Sequence, residues 1–164
     1  MLTNIDTIIF DLGGVILDIS PEETERRFEE LGITVTHEMF HITPEKNPFT
    51  LLEQGAISYE QFYNGVRESF NTTLSDNEIR YAWDGMLLNW TPERIDLILE
   101  LKKKYKILLL SNTNGVHYDT YTNSFQEQFG FPFEELFHEC YVSHEMGCRK
   151  PNLDIYEQLI KKSQ

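Results

Sequence analysis

The sequence predicts an α/β fold, a Rossmann-like parallel sheet with a block of helices inserted after its first strand, and three observations point to it. Two short apolar runs, Thr7-Ile8-Ile9-Phe10 and Lys106-Ile107-Leu108-Leu109-Leu110, lack the alternation of a half-buried strand. They match parallel strands buried on both faces. A third, weaker run spans His138 to Ser143, centred on Cys140-Tyr141-Val142. A helical stretch over about residues 117–129 separates the second run from the third. Strand, helix, strand in buried runs means right-handed crossovers within one sheet.

The first strand stops at Asp11, with Gly13 and Gly14 close behind, and the second at Ser111. The segment from about 20 to 89 holds no strand-like run and reads as several amphipathic helices. Pro21 suits a first helical turn, where its missing N–H costs nothing, and that helix closes near Leu31-Gly32. Ser58-Tyr59-Glu60-Gln61 and Ser75-Asp76-Asn77-Glu78 are capping boxes that open two more helices. Thr91-Pro92 starts a helix ending in Lys102-Lys103-Lys104, where the macrodipole favours cations. The organisation expected is a core of residues 1–19 and 90–164 around a helical cap of residues 20–89.

Composition narrows the function. Fourteen basic against 27 acidic residues leave a net charge of -13. That field repels nucleic acid and anionic lipid headgroups, so neither is expected as a partner. It also repels phosphorylated metabolites, so an anion site has to act at short range, through a metal ion, a lysine and backbone amides. No segment approaches a membrane span, and the first residues lack the basic stretch of a signal peptide. Cys140 and Cys148 make neither a disulfide framework nor a zinc pattern. A cytoplasmic protein is expected.

In an open parallel sheet, ligands sit at the carboxyl ends of the strands. Asp11, Ser111 and Lys150 lie at or just past such ends. Taken singly, each has a plain reading: Asp11 as a turn residue or helix cap, Ser111-Asn112 as a strand exit, Arg149-Lys150-Pro151 as a solvated pair before a helix. Glycines after Asp11 allow the backbone to wrap closely around a ligand.

Taken in order, the three segments resemble the motifs of the haloacid dehalogenase (HAD) superfamily. Ile8-Ile9-Phe10-Asp11-Leu12-Gly13-Gly14-Val15 looks like the first and Leu108-Leu109-Leu110-Ser111-Asn112-Thr113-Asn114 like the second. Ser143-His144-Glu145-Met146-Gly147-Cys148-Arg149-Lys150-Pro151 looks like the third, with Lys150 at the lysine position. A helical cap between the first two fits the family's capped branch, and the wording is closest to bacterial sugar-phosphate phosphatases, including the glucose-1-phosphate type. The resemblance implies an Mg2+-dependent phosphatase acting on a small phosphorylated metabolite, a sugar phosphate by expectation. Asp11 would attack phosphorus and form an aspartyl-phosphate. Mg2+ would bind the Asp11 side chain, the Gly13 carbonyl and a further carboxylate. Lys150 would offset charge at the nucleophile, and Ser111 would donate to a phosphoryl oxygen. Substrate binding would fall to the backbone N–H groups of Leu12 and Asn112, with Gly14 allowing close approach.

Two departures from the family pattern stand out. Most of its phosphatases carry a second Asp, as general acid and base, where this chain has Gly13. Losing such an acid removes roughly 10²–10⁴-fold in rate, least for good leaving groups. Asp18 lies past the loop and does not replace it. The family's fourth, acidic motif belongs on a strand after the helix that begins near Asn152, and Asp154 inside that helix is no substitute. The expectation is therefore a core incomplete at its C-terminus, part of a longer chain, with the first strand left as an exposed apolar edge. Two rivals stand beside the phosphatase: a non-catalytic or weakly active remnant that binds ligand, and a metal-free 2-haloacid dehalogenase, whose relatives usually carry Tyr where Gly13 stands.

Cap aromatics (Phe40, Phe49, Tyr59, Phe62, Tyr63, Phe70, Tyr81, Trp83 and Trp90) are expected mostly in the cap's core and its seam, with one or two facing the site. His37, His41, His117, His138 and His144 show no metal-ligand spacing. They are expected at the surface or behind the site, with His117 the one near enough to touch substrate.

Overall fold

The computed structural model describes residues 5–35 and 47–163. Met1 to Asn4, on which the reading of the N-terminus rests, lie outside them, as do His37, Phe40 and His41. In chain order the first elements are β1 (Thr7–Phe10), β2 (Leu17–Ile19), α1 (Pro21–Glu30), α2 (Pro48–Glu53), α3 (Tyr59–Phe70) and α4 (Asp76–Trp83). A 3-10 turn (Asp84–Met86) then leads to β3 (Leu87–Trp90), α5 (Pro92–Lys102) and β4 (Lys106–Ser111). The chain continues through α6 (Gly115–Phe129), β5 (Glu139–Val142), α7 (Ser143–Met146) and α8 (Leu153–Lys162).

The three apolar runs form one parallel sheet ordered β1-β4-β5, with Phe10 opposite Leu109 and Ser111 opposite Val142. β4 is central, and its side chains divide between two cores as the strand period requires. Ile107 and Leu109 join Ile95, Ile98, Phe125 and Phe133 on one face; Leu108 and Leu110 join Tyr141, Ile155 and Leu159 on the other. β1 is different. Ile8 and Phe10 pack against the first core, but Ile9 is 49% exposed. The reading of β1 as buried on both faces is corrected here, and the expected exposed apolar edge is what stands: β1 is at the edge, and α8 covers the sheet beside β4 and β5 rather than over Ile9.

Helices α1 to α4 gather a third cluster around Phe28, Phe49, Phe62, Val66, Ile79 and Trp83. Both capping boxes form as read: Ser58 accepts from Gln61 N and Ser75 from Glu78 N, with the reciprocal bonds present. One expectation for this segment fails, while its aromatics are mostly core or seam as expected. Its end is not strand-free, since Leu87–Trp90 pairs antiparallel with Leu17–Ile19 in a two-stranded ribbon. Trp90 belongs to the sheet's core, edge-on to Phe125 and Tyr121, and Tyr81 is 49% exposed.

Candidate active site

All three sequence-predicted side chains arrive at the same end of the sheet. Lys150 Nζ stands 2.6 Å from Asp11 Oδ2 and donates to the Leu110 carbonyl at 2.9 Å. The other carboxylate oxygen, Oδ1, accepts from Leu12 N at 2.8 Å. Asp11 thus has a cation on one oxygen and a backbone donor on the other, while its side chain stays 46% exposed to an incoming ligand. Ser111 is buried, and among the described residues its Oγ makes one long 3.4 Å contact, with the Asn112 carbonyl. It lines a recess of about 70 Å³ that Leu12, Gly13, Asn112 and His117 also line.

The loop after Asp11 is wound tightly. Val15, Ile16 and Leu17 all direct their N–H groups at the Leu12 carbonyl, and Gly14 N donates to Leu17 O at 2.9 Å. Gly14 needs to be glycine, with φ at 72°. Gly13 does not: a Cβ there would meet the Ile19 side-chain tip at 3.1 Å and little else.

Lys150 is held from the second strand. Asn112 Oδ1 accepts from Lys150 N at 2.8 Å, and Asn112 Nδ2 donates to Lys150 O at 3.0 Å. Ser143, read as the end of the third strand, instead opens α7. Its Oγ accepts from Thr113 N at 2.9 Å and donates to Thr113 O at 2.7 Å. Both bridges join the loop after β4 to the segment after β5. Sequence reasoning credited Asn112 with its backbone N–H alone. Asn and Ser side chains do bond backbone groups, but usually local ones; partners thirty or more positions away left no signal.

Neither Asp18 nor Asp154 lines the recess. Asp18 is engaged by Arg94 at 2.7 Å. Asp154 lies exposed in the first turn of α8. Among the described residues, no group of three or more His, Cys, Asp or Glu side chains converges on a metal position. The hard oxygen donors available are the Asp11 carboxylate and the carbonyls of its loop.

The histidines divide. His138 is exposed, with Nδ1 accepting from Ile107 N at 2.9 Å, and His144 is half-buried. His117 is not at the surface. Asn114 caps α6 and so turns its first residues towards α4, where His117 stacks on Trp83 at 4.5 Å and Nε2 meets the Trp83 carbonyl at 3.0 Å. Asn114 Nδ2 approaches Nδ1 at 3.1 Å, which fixes a neutral ring protonated on Nε2. Burial lowers its pKa to about 4.

Insertion and core meet along a polar seam. Tyr59 donates to Asp119 at 3.0 Å, Thr120 donates to Asp84 at 2.8 Å, and Arg80 donates to Thr120 at 2.9 Å. Arg149, read as one of a solvated pair, instead lies 3.1 Å from Glu53 of α2. Burial pushes the carboxyls of Glu53 and Asp84 up.

A cation-flanked, half-exposed carboxylate with amide donors and a hydroxyl nearby is an arrangement that can grip a small oxyanion at short range. No family model matches the chain. It is 30% identical over 159 residues to the D-ribitol-5-phosphate phosphatase of Bacteroides thetaiotaomicron, covering 97% of this chain and 77% of that protein. It is similar in structure to a HAD family enzyme of Bacteroides thetaiotaomicron solved in complex with magnesium and inorganic phosphate. The TM-score is 0.90 at 30% identity, over 98% of this chain and 79% of that one. A HAD-like family hydrolase of Porphyromonas gingivalis gives a TM-score of 0.84 at 32% identity, over 97% and 76%. With sequence and fold in agreement over nearly its whole length, the chain belongs to the haloacid dehalogenase (HAD) family of hydrolases.

Proposed function

We propose that the chain is a cytoplasmic Mg2+-dependent phosphatase of small phosphorylated metabolites, a sugar or sugar-alcohol phosphate foremost, working through an aspartyl-phosphate on Asp11. The Asp11–Lys150 contact of 2.6 Å carries the reading. A phosphate monoester repels an anionic nucleophile until charge is offset, and Lys150 offers that offset at the attacking group itself. Asp11 attacks phosphorus, the P–O bond to the leaving group breaks, and water then hydrolyses the acyl phosphate. Ser111 and the Asn112 N–H bind phosphoryl oxygens, the Leu12 N–H shares itself between Asp11 Oδ1 and the phosphate, and Gly14 keeps that approach open.

A carboxylate and a backbone carbonyl form a hard-oxygen set that suits Mg2+, which is commonly held by one or two carboxylates together with phosphate and water. Asp11 and the Gly13 carbonyl would hold it; when bound, it supplies positive charge shared between nucleophile and phosphate. The relative's magnesium and phosphate complex and the other relative's phosphatase activity support the assignment. Helices α1 to α4 act in this reading as a cap that closes over the phosphate and excludes water.

The test is hydrolysis of p-nitrophenyl phosphate with and without Mg2+, by wild type and Asp11→Asn. Metal-dependent turnover that falls on the order of 10⁴-fold or more in the variant is expected. Turnover unchanged in Asp11→Asn would sink the proposal.

A further inference from the structure

We propose that Glu53, on the inserted helix α2, is a positioning residue that acts through Arg149 to hold Lys150 against Asp11. The proposal rests on the phosphatase reading above. Arg149 Nη1 lies 3.1 Å from Glu53 Oε2, and the two side chains are only 21% and 23% exposed. Among the described residues that oxygen has no hydrogen-bond partner beyond this ion pair. Burial alone would favour the neutral acid, and Arg149 opposes it. Each group is therefore the other's counter-ion in a place where neither is well solvated. Removing one leaves the other uncompensated, which is more costly than the loss of an exposed pair.

Lys150 is the next residue in the chain. Its backbone is gripped from the core side by both ends of the Asn112 amide, and Arg149 anchors the same strand of chain from the insertion side. The contact is reinforced two residues on. Gly55, with φ at 64°, sits so close to the His144 carbonyl that a Cβ would not fit between them. Two points of α2 and its C-terminal turn thus rest on the segment 144–149 that delivers Lys150. Seating of the insertion and placement of the lysine become one event: if α2 lifts, Arg149 follows its counter-ion or turns to solvent, and Lys150 Nζ leaves Asp11.

The experiment compares wild type with Glu53→Gln, with the exchanged pair Glu53→Arg/Arg149→Glu, and with Tyr59→Phe. The last removes a seam hydrogen bond to Asp119 of α6 and leaves the Glu53–Arg149 pair in place. Three quantities are read: kcat and KM for p-nitrophenyl phosphate with Mg2+, the affinity for inorganic phosphate by calorimetry, and Tm. Glu53→Gln is expected to lower kcat by about 10–100-fold, the scale of an ångström-level misplacement, and to weaken phosphate binding, with KM moving little. The exchanged pair should recover most of both, and Tyr59→Phe should lower Tm while leaving kcat intact. Wild-type kcat and phosphate affinity in Glu53→Gln, or an exchanged pair that regains Tm without kcat, would overturn the proposal. A wild-type chain that binds phosphate but turns nothing over would end the phosphatase reading, and the phosphate affinities of the same variants would still decide the role of Glu53.

Discussion

The sheet side and the inserted helices contribute to the site in opposite ways. On the sheet side, register brings Asp11 and Ser111 to the ends of neighbouring strands, while Lys150, beyond α7, is placed by the Asn112 amide that grips its backbone. Parallel pairing of β1 with β4 and of β4 with β5 leaves no freedom over which residues end side by side. The insertion has its own cluster around Phe62 and Trp83 and reaches the site only through side chains at its seam. Val116 of α6 is buried in that cluster, although its helix belongs to the sheet side. The lesson is that backbone pairing places the nucleophile and the hydroxyl, whereas the lysine and the site's control depend on a handful of side-chain contacts that substitution can remove singly.

The largest expected effect tests whether the two regions are one cooperative unit. Phe62 is fully buried among aromatics of the insertion, with Phe49 at 5.5 Å and Trp83 at 6.0 Å. Truncating it to alanine should cost about 3–5 kcal/mol, against about 2–5 for Leu109→Ala in the sheet. The chain's two tryptophans fall one in each region, Trp83 in the insertion and Trp90 in the sheet core. Single-tryptophan variants can therefore follow each region through urea unfolding. Coincident midpoints are expected in both truncated proteins, because the seam binds the regions together. Midpoints that separate only in Phe62→Ala would show an insertion that melts by itself, and would break the comparison.

Next in size is a pH effect at the seam. In the unfolded chain the His117 imidazole takes up a proton near pH 6.5; in the folded chain, buried against Trp83, it does so only near 4. Between those values the unfolded state binds more protons, so His117's contribution is intact above pH 6.5 and is lost as pH falls towards 4. Its neighbours are Asp84, 3.9 Å from Nε2, and Arg80, which disfavours the added charge. At about 1.36 kcal/mol per unit, the loss approaches 3 kcal/mol. Denaturant unfolding at pH 7 and pH 4.5 should show it in wild type and not in His117→Gln. An equal loss in both proteins would assign the effect to other groups.

The same division decides what could be read from the sequence. β4 was legible to its last residue because a strand buried on both faces has no polar alternation to blur it, and Ser58 and Ser75 each carry their N3 partner three positions on. These are local rules. The β2–β3 ribbon was not legible: Leu17–Ile19 is three residues long and becomes a strand by pairing with residues some seventy positions away. Ile9 sits in an apolar run that by pattern alone reads as core, and its exposure agrees instead with the expectation of an apolar edge strand. At the site, three side chains were found from where strands stop. Asn112's hold on Lys150 joins two sheet-side loops far apart in sequence, while His117's burial and the Arg149–Glu53 pair needed the packing of one region on the other; no local pattern encodes either.

The smallest expected effect sharpens the point about the seam. Tyr59 donates to Asp119 at 3.0 Å across it, and burial, with Asp119 nearby, raises the phenol's pKa to about 12, so the hydroxyl keeps its proton at neutral pH. Tyr59→Phe removes the donor and leaves the ring. Asp119 remains partly exposed and can recover water, so the loss should be about 0.5–1.5 kcal/mol, the net worth of one such bond. Adding Asp119→Asn to Tyr59→Phe should then cost little more, since the pair has already been broken. Strict additivity of the two substitutions in denaturant unfolding would show that the bond carries no coupling. The seam would then rest on its buried members, Glu53 with Arg149 and His117 with Trp83, rather than on its rim.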